Sequence, residues 1–144
     1  MYLLDTNVVS ERMKPQPNPA VVGWLDANKA ELYLPSVVLD ELRYGVLRLP
    51  EGRRKEGFAR AVEVLATSYA DKIVPFDAKA AWKSAEFRWL AHSSGFNPSV
   101  QDMMIAGIAA ANGAVLATRN VKDFAFLDLE VVNPFGWPGF RTKR

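Results

Sequence analysis

Five short apolar runs divide this chain, and segments of helical periodicity separate them. The runs are Leu3-Leu4, Glu31-Leu32-Tyr33-Leu34, Lys72-Ile73-Val74-Pro75-Phe76, Ala114-Val115-Leu116-Ala117-Thr118 and Leu129-Glu130-Val131-Val132-Asn133. Short apolar runs bounded by polar residues are the mark of strands buried on both faces. Between them, Ala20 to Asn28 carries Val21, Val22, Trp24 and Leu25 at helical spacing, opened by Pro19. Val37 to Leu47 follows Ser36, read as an N-cap. Phe58, Ala61, Val62 and Leu65 form another stripe. After Asp77, residues Ala78, Trp82, Ala85 and Trp89 share one helical face, and Val100 to Asn112 ends at Gly113. Strands alternating with helices predict a three-layer α/β/α fold around a central, mostly parallel sheet of about five strands. Leu129 to Asn133 alternates and is read as a sheet edge, and Arg119 to Phe124 as a loop. Residues 1–144 read as one domain, with a core ending at 133 and a tail from 134 to 144.

Composition narrows the function classes. The 144 residues include no cysteine, which excludes disulfides and thiolate metal sites and fits a reducing cytoplasm. No apolar stretch is long enough to span a membrane, and the N-terminus lacks the basic segment of a signal peptide. One histidine, His92, is read as a surface or helix-end residue; no motif supports it in a nucleophilic triad. The net charge is only +2, so the distribution of charge carries more information than its sum.

In a parallel α/β sheet, helix N-termini share an edge with strand C-termini, and ligands bind at that edge. Asp5 closes the first strand, Glu41 lies in the early turns of the helix after the second, and Asp102 lies in the first turn of the helix before the fourth. Asn120 and Asp123 follow the fourth strand. Several carboxylates brought to one edge repel one another unless a divalent cation sits among them. An all-oxygen set without Cys points to Mg²⁺ or Mn²⁺ and to phosphodiester hydrolysis, with Asp5 and Asp102 as metal ligands. Simpler readings stand beside these. Ser99-x-x-Asp102 matches a capping box, Asp123 alone is an ordinary loop acid, and only one of Asp40 and Glu41 can face the edge; Glu41 is chosen. Asp5, placed directly after a buried strand, has no evident structural task.

Leu4-Asp5-Thr6-Asn7-Val8-Val9-Ser10, Ser36 to Gly45 around Glu41, Gln101-Asp102-x-x-Ile105-Ala106-Gly107, and Ala117-Thr118-Arg119-Asn120-x-x-Asp123-Phe124 resemble the PIN domain. More narrowly, they resemble its VapC-type ribonuclease toxins of the FitB-like subgroup, as does the closing Asn133-Pro134-Phe135. The resemblance spans nearly the whole chain. It implies a Mg²⁺-dependent endoribonuclease, toxic to its own cell and held silent by a small antitoxin encoded beside it. It implies a homodimer, with DNA contacted only through the antitoxin. Asp5, Glu41 and Asp102 match the family's principal acids; the fourth is assigned to Asp123, with Asn120 as a polar neighbour. Thr6 and Asn7 match small polar positions that orient ligands or water, and Thr118 joins them as a supporting residue.

A polyanionic substrate needs cations. Arg48, Arg53, Arg54 and Lys55, within the basic segment from Arg48 to Arg60, are candidates for nucleic-acid backbone contacts, as is the Arg141-Thr142-Lys143-Arg144 tail. Trp82 and Trp89 read as core or dimer packing. Three alternatives belong to other classes: a non-catalytic partner of a DNA-binding antitoxin in promoter repression, a metal-dependent DNA nuclease, and a haloacid-dehalogenase-type phosphatase. The last would want an Asp where this chain has Asn7.

Overall fold

The computed structural model describes residues 1–138 and the backbone of Arg141–Thr142. Five strands, β1 (Tyr2–Leu4), β2 (Leu32–Pro35), β3 (Ile73–Val74), β4 (Val115–Ala117) and β5 (Val131–Val132), run parallel. A sixth, β6 (Arg141–Thr142), pairs antiparallel with β5. The order across the sheet is β3-β2-β1-β4-β5-β6. Among the described residues, seven α-helices connect the strands: α1 (Thr6–Glu11), α2 (Pro19–Ala27), α3 (Ser36–Arg48), α4 (Arg53–Ser68), α5 (Ala78–Ser93), α6 (Val100–Ala111) and α7 (Val121–Phe124). The parallel sheet flanked by helices is the arrangement that the alternation of apolar runs and stripes anticipates.

The chain winds outward from β1 through β2 to β3, then returns to place β4 on the other side of β1. The strand order therefore reverses between β1 and β4, and such a switch point opens a crevice at the carboxyl ends of the strands. The register pairs Leu3 with Leu116 and Leu4 with Ala117, so the residues next in line are Asp5 and Thr118. Beneath this edge the core is apolar. Leu3, Leu4, Leu34 and Leu116 of the sheet, with Val8, Val38, Met103, Ile105 and Ile108 of the helices, are buried. The α5–α6 packing is the most extensive between helices among the described residues. A Cβ at Gly107 would collide with the Ala80 carbonyl oxygen and lie 3.0 Å from the Ser84 side chain, so glycine there lets the two helices meet.

Several expectations are corrected. β5 is not the edge, because β6 covers it. Residues 119–124 are not all loop; Val121–Phe124 make a helical turn that buries Phe124. The segment after 133 is not a free tail, since Pro134–Gly136 form a 3₁₀ turn against α2 with Pro134 buried. The charged end at residues 143 and 144, and the side chains of Arg141 and Thr142, lie outside what is described. Ser36 is the first residue of α3 rather than its cap, and its hydroxyl accepts from the Phe76 N–H at 3.1 Å. The Trp stripe of α5 is not core: Trp82 is 73% exposed and Trp89 67%. Finally, α1 has no counterpart in the sequence reading. Its six residues are too short for a helical stripe, and Val8-Val9 read locally as strand.

Candidate active site

Asp5 is the N-cap of α1. Its backbone is extended, and its Oδ1 accepts from the Thr6 N–H at 2.8 Å. The carboxylate thus has a structural task after all: it starts the helix that turns the chain away from the sheet edge. Its other oxygen, Oδ2, accepts from the Thr118 hydroxyl at 2.7 Å and from Asn7 Nδ2 at 3.4 Å. The backbone seals the same junction, with the Asp5 N–H donating to the Ala117 carbonyl at 2.9 Å. Thr118 is fully buried, and Asp5 is 5% exposed. Burial raises the Asp5 carboxyl above the usual carboxylate range; the Thr118, Thr6 and Asn7 hydrogen bonds oppose that rise, and the charge of Asp123 adds to it.

The other acids come from separate elements. Glu41, in the second turn of α3, is half-buried, whereas its neighbour Asp40 is exposed. Burial raises the Glu41 carboxyl, and the charges of Asp5, Asp102 and Asp40 raise it further, against a lowering by the nearby Thr6 hydroxyl. Even so, Thr6 Oγ1 and Glu41 Oε1 are both buried without a hydrogen bond of good geometry. Asp102 sits in the first turn of α6, its N–H bound to Ser99 Oγ at 3.0 Å as the capping pattern anticipates. Burial first, then the Asp5 charge, push its carboxyl up to about 6, with the Ser99 hydroxyl opposing and Asp123 adding. Asp123, exposed in the first turn of α7, is therefore within electrostatic reach of both Asp5 and Asp102. Asn120 caps this group through its backbone, donating to Thr118 Oγ1 at 3.0 Å.

All four predicted acids thus gather at one sheet edge, where burial and neighbouring charge raise the carboxyls of Asp5, Glu41 and Asp102. They do not form a closed cage: among the described residues, no three His, Cys, Asp or Glu side chains converge tightly enough to enclose a metal ion. The donor set, hard oxygens with an unsatisfied Glu41 Oε1 and a fixed Asp5, fits a cation that keeps several of its own waters, which is the habit of Mg²⁺.

The basic candidates lie elsewhere. Arg53 and Arg54 begin α4 and line a cleft with Ser10, Met13, Lys14 and Phe58, none of them a site acid. Lys55 pairs with Glu51 at 2.8 Å, and Arg48 lies over the Tyr44 ring. His92 is exposed at the end of α5, beside Trp89. Two residues received no role from the sequence. Glu11 is buried on α1, bound by Lys14 Nζ and the Asn18 N–H, both at 2.8 Å, and ties the loop after α1. Arg119 follows Thr118; its place directly after a strand-ending polar residue was the available signal.

A family model described as PIN domain matches residues 2–128, and the chain belongs to that family, in its VapC and FitB-like branch. The VapC ribonuclease Y4jK of Sinorhizobium fredii is 36% identical over 137 residues, covering 94% of this chain and 98% of that protein. The crystal structure of FitAcB from Neisseria gonorrhoeae superposes with a TM-score of 0.86 at 37% identity, covering 94% of this chain and 99% of that one. VapBC2 from Rickettsia felis, bound to a DNA fragment from its promoter, gives a TM-score of 0.79 at 27% identity, covering 92% and 97%.

Acids whose folded-state pKa is raised bind protons more readily folded than unfolded, so the stability they withhold at neutral pH returns as pH falls through that raised value. The melting temperature of chelator-treated protein is expected to fall as pH rises from about 4.5 to about 7, and Asp102→Asn should flatten that decline. Equal slopes in both proteins would contradict the coupling. The window stays above the range in which Glu11, held low by Lys14, would act with the opposite sign.

Proposed function

We propose that the protein is the toxin of a toxin–antitoxin pair, a single PIN domain over residues 1–144 that cleaves RNA phosphodiester bonds in the cytoplasm with a divalent cation. The observation that carries this reading is the buried Asp5 carboxylate at the switch point, with Glu41, Asp102 and Asp123 close enough to raise its neighbourhood's proton affinity. Asp5 and Asp102 would hold the cation, Mg²⁺ with Mn²⁺ as a substitute. When bound, the cation supplies charge neutralisation at the phosphate and activation of a water. The chain's own residues do the rest. Thr118, Asn7 and the Thr6 N–H fix the Asp5 carboxylate in one orientation. Glu41, with an uncommitted oxygen, takes the proton released by the attacking water. Asp123 and Asn120 border the open side of the crevice, where RNA enters.

The names of the relatives support the activity, and the solved complexes support a partner. FitAcB and VapBC2 are structures of toxin–antitoxin assemblies, the latter on promoter DNA. By the same logic this chain pairs with a small antitoxin and reaches DNA only through it. Such a complex could repress a promoter with no catalysis, and the intact acid set favours cleavage over that silent role. The exposed Trp82 and Trp89 face of α5 is the contact assigned to a homodimer, since exposed aromatics in a row mark protein interfaces.

Induced expression should arrest growth, with new RNA 5′ ends in sequenced total RNA. Asp5→Ala should abolish both, and co-expression of the small neighbouring reading frame should relieve the arrest. In vitro, EDTA should stop cleavage and Mg²⁺ restore it. Arrest that persists with Asp5→Ala would contradict the ribonuclease reading. Sedimentation velocity should show a dimer that Trp82→Glu/Trp89→Glu converts to a folded monomer; an unchanged dimer would move the interface elsewhere.

A further inference from the structure

An acidic crevice repels the polyanion that it must hold, so a cation has to stand at its rim. Three of the basic residues picked out by the sequence do not: Lys55 is paired with Glu51, and Arg53 and Arg54 line a cleft that contains none of the site acids. The backbone of Arg119 adjoins that rim, as the residue after Thr118, whose hydroxyl holds Asp5. The Arg119 N–H donates to Asn7 Oδ1 at 3.0 Å, while Nδ2 of the same Asn7 reaches Asp5 Oδ2 at 3.4 Å. One short side chain therefore ties the Arg119 backbone to the central carboxylate.

The guanidinium is held without being neutralised. Its Cζ lies 4.7 Å from the centroid of the Phe135 ring. Phe135 is itself fixed in the Pro134–Gly136 turn, its N–H bound to Asn133 Oδ1 at 3.0 Å. A cation over a ring face is oriented by the aromatic quadrupole and keeps its N–H donors in its own plane. Arg119 also affects Glu11 electrostatically, but both Glu11 oxygens are engaged, by Lys14 Nζ and by the Asn18 N–H. Among the described residues the Arg119 guanidinium makes no ion pair and no hydrogen bond, and the residue is exposed. A planar fork with five free donors, on a residue whose backbone is tied through Asn7 to Asp5, matches two non-bridging oxygens of one phosphate.

We propose that Arg119, steadied by Phe135, grips an RNA backbone phosphate next to the one that is cleaved. The proposal rests on the ribonuclease reading and adds to it the residue that positions the strand.

The test uses full-length protein carrying Asp5→Asn, so that RNA is bound and not cut, and a fluorescein-labelled single-stranded RNA of mixed sequence, read by anisotropy across a KCl series. Losing one phosphate contact on a single strand should reduce the slope of log affinity against log salt by about 0.7. Arg119→Ala should do this and weaken binding about tenfold, the scale of a lost charge-assisted pair. Arg119→Lys should keep the slope but recover only part of the affinity. Phe135→Leu should likewise keep the slope and lose part of the affinity. Arg119→Ala with unchanged slope and affinity overturns the proposal, and so does a fall in melting temperature with no change in slope, which would make Arg119 a strut. A parent protein that binds no RNA at any salt overturns the ribonuclease reading and this proposal with it.

Discussion

The hydrogen bond from the Thr118 hydroxyl to Asp5 Oδ2 is the contact on which the rest of the site depends. It joins the ends of β1 and β4, the two strands between which the sheet order reverses. A carboxylate is costly to bury, and three donors from three directions offset that cost here. Because Asp5 also caps α1, the same group starts a helix, closes a strand junction and presents charge to the crevice. Few substitutions at this position could serve even two of these ends.

Around Asp5 the electrostatics are arranged to be unfavourable when no cation is present. Glu41 and Asp102 arrive on different helices; the Asp5 charge makes both harder to ionise, and the Asp102 charge does the same to Glu41. The protein holds this repulsion because the elements carrying the acids are fixed by packing that does not involve them. Leu42 and Val46 anchor α3; Met103, Ile105, Ile108 and the glycine-mediated approach to α5 anchor α6. Fold stability and site chemistry are thereby separated: the core supplies the first, and the sheet edge spends part of it on the second.

Much of this was legible in the sequence, for physical reasons that also mark where legibility stopped. Buried parallel strands announce themselves as apolar runs, and helix starts at the carboxyl edge follow from topology, so Asp5, Glu41 and Asp102 could be placed together without coordinates. Short elements were not visible. α1 and α7 exist because of a cap and a buried Phe124 rather than a stripe, and β6 lies in a segment whose composition reads as tail. The Trp residues of α5 show the limit of periodicity, which finds a face but not what covers it. Arg119 was hidden for another reason: its significance lies in Phe135 and Asn7, each distant in sequence.

If Asp5 and Asp102 hold a divalent cation at this edge, anomalous diffraction from crystals grown with Mn²⁺ should show a peak bounded by their carboxylate oxygens, with Thr118 still bonded to Asp5. Manganese bound elsewhere, with both carboxylates engaged only in hydrogen bonds, would contradict that role.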